Sequence, residues 1–95
     1  MILRDEFLAD IKSAVGQCYD LGYAPTRFEQ MIEVSHPVEV AKSFVTSGEF
    51  QYGFKELNKM GRPELTVEGI MLQPKYSSLF TQPELTAAKW RLDNV

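Results

Sequence analysis

The sequence predicts an all-α fold, a compact bundle of five to six short helices around one core. Apolar residues recur at spacings of three and four along the first 21 residues, which is the period of an amphipathic helix. Two Thr-x-x-Glu capping boxes, at positions 26–29 and 81–84, mark the starts of later helices. Apolar and polar residues show no sustained alternation, and the best strand candidate, positions 65–72, is too short and isolated to build a sheet.

The first helix is predicted over the first 21 residues with a continuous apolar stripe. Its members are Leu3, Phe7, Ile11, Val15, Cys18 and Tyr19. Gly22 follows the last periodic residue, and we expect it to be the left-handed residue that ends the helix. Gly16 weakens the middle of the helix relative to alanine, and we expect a close contact with another helix at that position.

Capping signals and prolines divide the next segment into two helices. The second helix is predicted to begin at the capping box 26–29 and to end near Ser35, because the residue before Pro37 is biased away from helical angles. Pro37 suits the first turn of a third helix, with Ser35 or His36 as its cap. We expect this third helix to end at positions 46–48.

Three more helical segments are predicted in the second half. A fourth helix covers positions 50–60 and is closed by Gly61. Thr66 is expected to cap a short fifth helix, which Pro74 ends. A short turn follows, and the last helix begins at the capping box 81–84.

Length, charge and cysteine count limit the classes of function. The 95 residues suffice for one helical domain, 1–95, and 10 Lys+Arg against 13 Asp+Glu give a net charge of −3. A single Cys, Cys18, and a single His, His36, exclude an internal disulfide and metal sites built from several such ligands. No metal or cofactor is therefore predicted. No apolar stretch approaches a membrane span and no secretory signal is recognised, so we expect a cytoplasmic protein without membrane association.

No catalytic residue is predicted. Ser35 and His36 are neighbours in sequence, which does not normally aim the hydroxyl at the ring, and they are better explained as a helix cap. Cys18 lies on an apolar stripe, where a thiol is expected to be a small core residue. Capping and solvation explain Glu64 and Glu84 beside their turns. We therefore expect a protein that is not an enzyme.

Aromatic side chains that lie off the inward stripes favour protein binding. Tyr52, Tyr76 and Trp90 are not in register with the apolar faces of their segments. Exposed tyrosines and tryptophans are the usual anchors of protein interfaces. We therefore predict that these three residues bind another protein or a second copy of the chain.

Nucleic-acid binding is the alternative prediction. Within the segment 38–60, the third and fourth predicted helices are joined by Thr46-Ser47-Gly48-Glu49, which is about the length of a helix-turn-helix connection. The candidate contacts to nucleic acid are Lys42, Gln51, Lys55, Asn58, Lys59 and Arg62. Glu49 and Glu56 lie among them and reduce the local positive charge, so this alternative ranks below protein binding.

The second half of the chain also resembles a known group of proteins. Positions 51–57 read Gln-Tyr-Gly-Phe-Lys-Glu-Leu, positions 61–69 read Gly-Arg-Pro-Glu-Leu-Thr-Val-Glu-Gly, and positions 79–85 read Leu-Phe-Thr-Gln-Pro-Glu-Leu, with Arg91-Leu92 after them. Positions 23–92 thereby resemble a group of short, uncharacterised bacterial and phage helical proteins with the pattern G-F-x-x-L, G-R-x-x-L-T-x-E, L-F-T-x-x-E-L and R-L. The resemblance implies a helical domain and no particular reaction. It suggests an accessory or counter-defence protein that blocks a host complex. Gly69 departs from the group's pattern, and we expect it to loosen the fifth helix.

Overall fold

The architecture is all-α, as the sequence predicts. The computed structural model describes residues 2–47 and 52–95, and no strand occurs within them. The six α-helices are α1 (Leu3–Asp20), α2 (Thr26–Val34), α3 (Pro37–Thr46), α4 (Tyr52–Lys59), α5 (Val67–Met71) and α6 (Gln82–Asp93). Two 3-10 helices, Pro63–Leu65 and Pro74–Leu79, flank α5 and are called the first and second 3-10 turns. Phe50, placed at the start of the fourth helix by its sequence, lies outside the described residues. None of the described helices combines the length and apolar character that crossing a bilayer requires.

The end of α1 confirms the prediction for Gly22. Its φ of 84° is left-handed, its N–H donates to the Tyr19 carbonyl, and the Tyr23 N–H donates to the Cys18 carbonyl at 2.9 Å. These two bonds form a Schellman motif, which needs a left-handed residue and therefore favours glycine. The expectation for Gly16 is wrong, because a Cβ added there would have no atom within 4 Å. Tyr19 also departs from the predicted stripe and is 48% exposed.

The second 3-10 turn carries a fully buried tyrosine. Tyr76 is 0% exposed and packs edge-on against Phe7, with ring centroids 5.1 Å apart. Phe80 meets the same Phe7 ring at 5.5 Å. The Tyr76 hydroxyl donates a hydrogen bond to Asp10 on α1. The prediction that Tyr76 binds a partner is therefore wrong, because the turn points this side chain into the core instead of following a helical face.

The two predicted capping boxes have different outcomes. At α6 the Thr81 hydroxyl accepts from the Glu84 N–H, and the Glu84 carboxylate accepts from the Thr81 N–H at 2.8 Å, so this box is confirmed. At α2 no side chain caps the helix, and the Glu29 carboxylate instead accepts a hydrogen bond from the Tyr19 hydroxyl. Thr26 is the first residue of α2 and Pro25 is the N-cap, so the Thr26 hydroxyl is not at the capping position.

The helix α2 is a loosely held layer of the fold. It begins at Thr26 and ends at Val34, as predicted, but it has no buried residue. Phe28 and Ile32 contribute partly buried side chains against the core, and the Phe28 ring lies 6.1 Å from that of Phe44. The cover that α2 provides is therefore partial.

The start of α3 confirms His36 as the cap. The His36 Nδ1 accepts a hydrogen bond from the Val38 N–H at 3.1 Å, and Pro37 occupies the first turn. The Nε2 atom is buried and has no hydrogen-bond partner within the described chain. Burial lowers the pKa of this imidazole, and the nearby Arg4 acts in the same direction, whereas Asp5 and Glu39 oppose them.

The helix α5 approaches the first 3-10 turn closely, and Gly69 permits this approach. The Thr66 hydroxyl caps α5 by accepting from the Gly69 N–H at 2.9 Å, as predicted for Thr66. A Cβ at Gly69 would lie 2.3 Å from the Pro63 carbonyl oxygen and 3.1 Å from the Glu64 Cα. Gly69 therefore does not loosen the helix, as the sequence suggested, but lets two backbone segments pack against each other.

Candidate functional site

One concave surface with an exposed aromatic side chain lies between α3 and α6. This α3–α6 groove has a volume of about 670 Å³. Its lining residues are Val45, Thr46, Ser47, Gln82, Pro83, Thr86, Ala87, Trp90 and Arg91. Trp90 is 59% exposed, which confirms its predicted place off the inward face of α6. The groove therefore offers a large aromatic side chain beside a mainly apolar depression.

A buried ion pair fixes the floor of the groove. The Arg91 Nε donates to the Glu68 carboxylate at 2.7 Å, and the two side chains are only 5% and 1% exposed. The Arg91 guanidinium also lies 5.3 Å from the centroid of the Phe54 ring. Burial raises the pKa of the Glu68 carboxyl, and the Arg91 guanidinium acts in the opposite direction. This pair ties α6 to α5 and holds the helix that carries Trp90.

Sequence reasoning missed this pair for an identifiable reason. Arg91 lies in the last turn of α6 and Glu68 in the first turn of α5, where each charge suits the helix dipole. The two residues are 23 positions apart, and both local roles are complete without a partner. The usable signal is that Arg91 follows Ala88 by three positions, which places it on the buried side of α6.

Tyr52 lies on a different surface from Trp90. It is 69% exposed, as expected, and its ring centroid is 6.2 Å from that of Tyr23. Tyr52 lines a second concave region between α1, α2 and α4, which is called the inner cavity. The predicted protein-binding set of Tyr52, Tyr76 and Trp90 is therefore not one cluster, since one member is in the core and the others line separate concavities.

The predicted nucleic-acid contacts are largely neutralised by neighbouring acids. Ion pairs join Lys42 to Glu84 at 3.5 Å, Lys59 to Glu56 at 3.9 Å and Arg62 to Glu64 at 2.6 Å. The structure therefore does not gather these three cations into a free basic patch.

The remaining predicted contacts form no recognition surface either. Lys55 is exposed and has no ion-pair partner in the described part of the chain, while Gln51 lies outside it. The Asn58 amide donates to the Phe54 carbonyl at 2.8 Å, so it is engaged within its own helix. The helix α4 packs mainly on the first 3-10 turn and not on α3. A helix-turn-helix needs those two helices packed together.

Cys18 and His36, the cysteine and the histidine of this chain, both occupy structural positions. Cys18 is 3% exposed, and burial raises the pKa of its thiol, which disfavours the nucleophilic thiolate. His36 serves as a helix cap. Within residues 2–47 and 52–95, no three His, Cys, Asp or Glu side chains lie together in a way that could hold a metal ion.

Of the three carboxylates near turns, two have capping or surface roles and one faces a concavity. Glu84 closes the capping box of α6, and Glu64 pairs with Arg62 at the surface. Glu68 lines the inner cavity, but its carboxylate is already bound by Arg91. A carboxylate held in this way is poorly placed to exchange protons with a substrate.

Comparison with known proteins adds no functional assignment. No protein family, no curated protein and no solved structure matches this sequence. The candidate site therefore stands on the geometry of the α3–α6 groove.

Proposed function

We propose that this chain is a small, non-enzymatic helical module that acts by binding another protein through the α3–α6 groove. The observation that supports the proposal is the half-exposed Trp90 indole beside a concave, mainly apolar surface. Tryptophan is among the residues that contribute most to protein interfaces, because it combines a large apolar area with an N–H donor. The proposed partner inserts apolar side chains between Trp90 and Val45.

The groove has the rigidity that an interface benefits from. Arg91, next to Trp90, is fixed by Glu68, and the fully buried Ala88 anchors the middle of α6. The Thr81–Glu84 capping box fixes the start of the same helix. A surface that is already ordered loses less conformational entropy when the partner binds.

A narrower role follows from the resemblance to short bacterial and phage proteins. We propose an accessory or counter-defence protein that works in the cytoplasm by occupying a surface of a host complex. This narrower version rests on analogy, since a shared fold does not by itself imply a shared function.

The nucleic-acid alternative has less support than the groove. Lys42, Lys59 and Arg62 are paired with acids, and the chain carries a net charge of −3. Since affinity for duplex DNA depends on free cations near the phosphates, we expect no measurable binding even at low salt. Salt-dependent binding that is lost in Lys55→Ala would instead favour the alternative.

The test compares a groove variant with two matched controls. The tagged chain is used to capture proteins from bacterial extract, and each captured protein is purified and its affinity measured directly. Trp90→Ala is expected to weaken a specific complex by about 30-fold or more, the effect of a hot-spot residue. Lys89→Ala, exposed on the same helix, and Tyr52→Ala, exposed on the inner-cavity surface, are expected to change it less than about threefold.

Self-association is measured on the same variants by sedimentation. A dimer that Trp90→Ala dissociates would identify a second copy as the partner. If every captured complex and the oligomeric state are unchanged in Trp90→Ala, the groove is not a binding surface and the proposal fails.

A further inference from the structure

The inner cavity is a second concavity, separate from the α3–α6 groove. Its volume is about 560 Å³. One side is formed by Ile11, Ala14 and Cys18 of α1, which are all buried. The turn and helix from 65 to 68 form the back, and α2 and α4 form the cover. Exposed lining residues, including Arg27, mark the rim where the cavity meets solvent.

The inner cavity is a cleft that is open to solvent at its rim and large enough for a small molecule. Protein interiors are packed as densely as organic crystals, and an apolar cavity of roughly 150 Å³ already accepts a benzene molecule. Empty apolar volume reduces stability, because the lining atoms lose van der Waals contacts. The floor of the inner cavity consists of core residues, so a ligand that reaches it would pack against apolar side chains.

The polar groups at the cavity indicate what kind of ligand fits. The Tyr23 hydroxyl forms no hydrogen bond with any described residue and lies over Gly53, where an added Cβ would be 2.6 Å from it. Glu68 lines the back wall, but Arg91 binds its carboxylate from the other side. The Tyr23 hydroxyl is therefore available to a ligand at the edge of the cavity, and Glu68, the charged residue of the buried lining, is neutralised by Arg91.

We propose that the inner cavity binds a neutral, mostly apolar small molecule that carries one hydrogen-bonding group for the Tyr23 hydroxyl. The volume corresponds to roughly twenty non-hydrogen atoms at the density of a filled cavity. Cavities of this size and composition are the usual small-molecule sites of proteins. The ligand enters between α2 and α4, because α2 has no buried residue to hold it firmly against the core.

The test is a fluorescence titration of the full chain with N-phenyl-1-naphthylamine. This probe is neutral and apolar, has one N–H group, and brightens in apolar surroundings. Saturable binding of one molecule per chain is expected. Tyr23→Phe is expected to weaken it by about two- to tenfold, the effect of one hydrogen bond. Ala14→Leu places a larger side chain in the cavity and is expected to abolish it, with Cys18→Met as the second filling variant should Ala14→Leu not fold.

Controls separate this site from the groove and from a charged ligand. Trp90→Ala is expected to leave probe binding unchanged, so failure of the protein-binding proposal and failure of this one give different results. Cooperative unfolding of each variant, followed by circular dichroism, establishes that it is folded. The proposal is overturned if the probe does not saturate, if binding survives in both filling variants, or if dodecanoate or dodecylamine displaces the probe more strongly than dodecanol does.

Discussion

The two halves of α1 face different kinds of interior. At the N-terminal half, Phe7 is enclosed by the rings of Tyr76 and Phe80, and Asp10 holds the Tyr76 hydroxyl. At the C-terminal half, Ala14 and Cys18 are also buried, but they line the floor of the inner cavity. These regions are called the closed half and the open half of the core.

The closed half of the core contributes to stability through side-chain contacts, whereas the open half contains the concavity that we propose binds a ligand. In the closed half, the Phe7 ring meets the rings of Tyr76 and Phe80 edge to face. In the open half, a helix with no buried residue covers a volume that the chain leaves unfilled. The Glu68–Arg91 pair lies between the two proposed binding surfaces, since Glu68 lines the inner cavity and Arg91 lines the α3–α6 groove.

The largest expected effect comes from breaking that pair. Glu68→Gln removes the charge of the buried carboxylate that the Arg91 guanidinium binds and is expected to lower the free energy of unfolding by about 3–5 kcal/mol. Glu64→Gln is the matched control, because its ion pair with Arg62 is at the surface and is expected to contribute less than about 1 kcal/mol. Urea unfolding of both variants measures the difference. Equal effects would show that the buried Glu68–Arg91 pair contributes no more to stability than a surface pair does.

The second prediction compares two glycines that each lie inside a helix, Gly69 of α5 and Gly16 of α1. Gly69→Ala is expected to destabilise the fold by about 1–3 kcal/mol, because its Cβ would overlap the Pro63 carbonyl oxygen. Gly16→Ala meets no neighbouring atom and is expected to stabilise α1 by up to about 1 kcal/mol through helix propensity. The two unfolding free energies are compared with that of the wild type. The same sign for both variants would contradict the close approach at Gly69.

The third prediction compares the halves directly with one substitution. Ala41 is fully buried within α3, whereas Ala14 of α1 borders the inner cavity. Ala41→Val is expected to cost about 1–3 kcal/mol by overpacking, and Ala14→Val clearly less, because its extra methyl groups enter open space. Both sites are helical, so the propensity cost of valine is shared. Thermal unfolding ranks the two, and a larger loss at Ala14 would mean that the open half is in fact filled.

The smallest effect is expected from pH. Burial lowers the pKa of His36 from its ordinary 6.5, so the folded state binds a proton less readily than the unfolded chain. The contribution of His36 is therefore complete above pH 6.5 and is lost as the pH falls below that value, when protonation also removes the Nδ1 acceptor of the cap.

His36→Asn keeps a capping side chain that does not titrate. Its stability is expected to change less than that of the wild type between about pH 7.5 and pH 5.5. Unfolding free energies at several pH values in this range give the measurement. Parallel curves for the two proteins would show that the His36 cap is insensitive to protonation.

Local signals account for what could be predicted. The end of α1 at Gly22, the caps at His36 and Thr66, and the capping box at 81–84 each depend on residues within a few positions of one another. The exposure of Trp90 also follows from helical spacing within a single element. The capping box at 26–29 does not form, because Thr26 is already the first residue of α2 and Pro25 is the N-cap.

The sequence by itself determined the fold class, most helix boundaries and the exposure of Trp90, because helix periodicity and capping are short-range properties of the chain. Tertiary structure alone decided that Tyr76 is a core residue and that Glu68 and Arg91 form a buried pair. It also decided that a neighbouring backbone segment approaches Gly69 but not Gly16. It also decided that space remains beside Ala14 and Cys18. These features depend on how helices distant in sequence pack together, and the residues of any one helix carry no local mark of which neighbour they will meet.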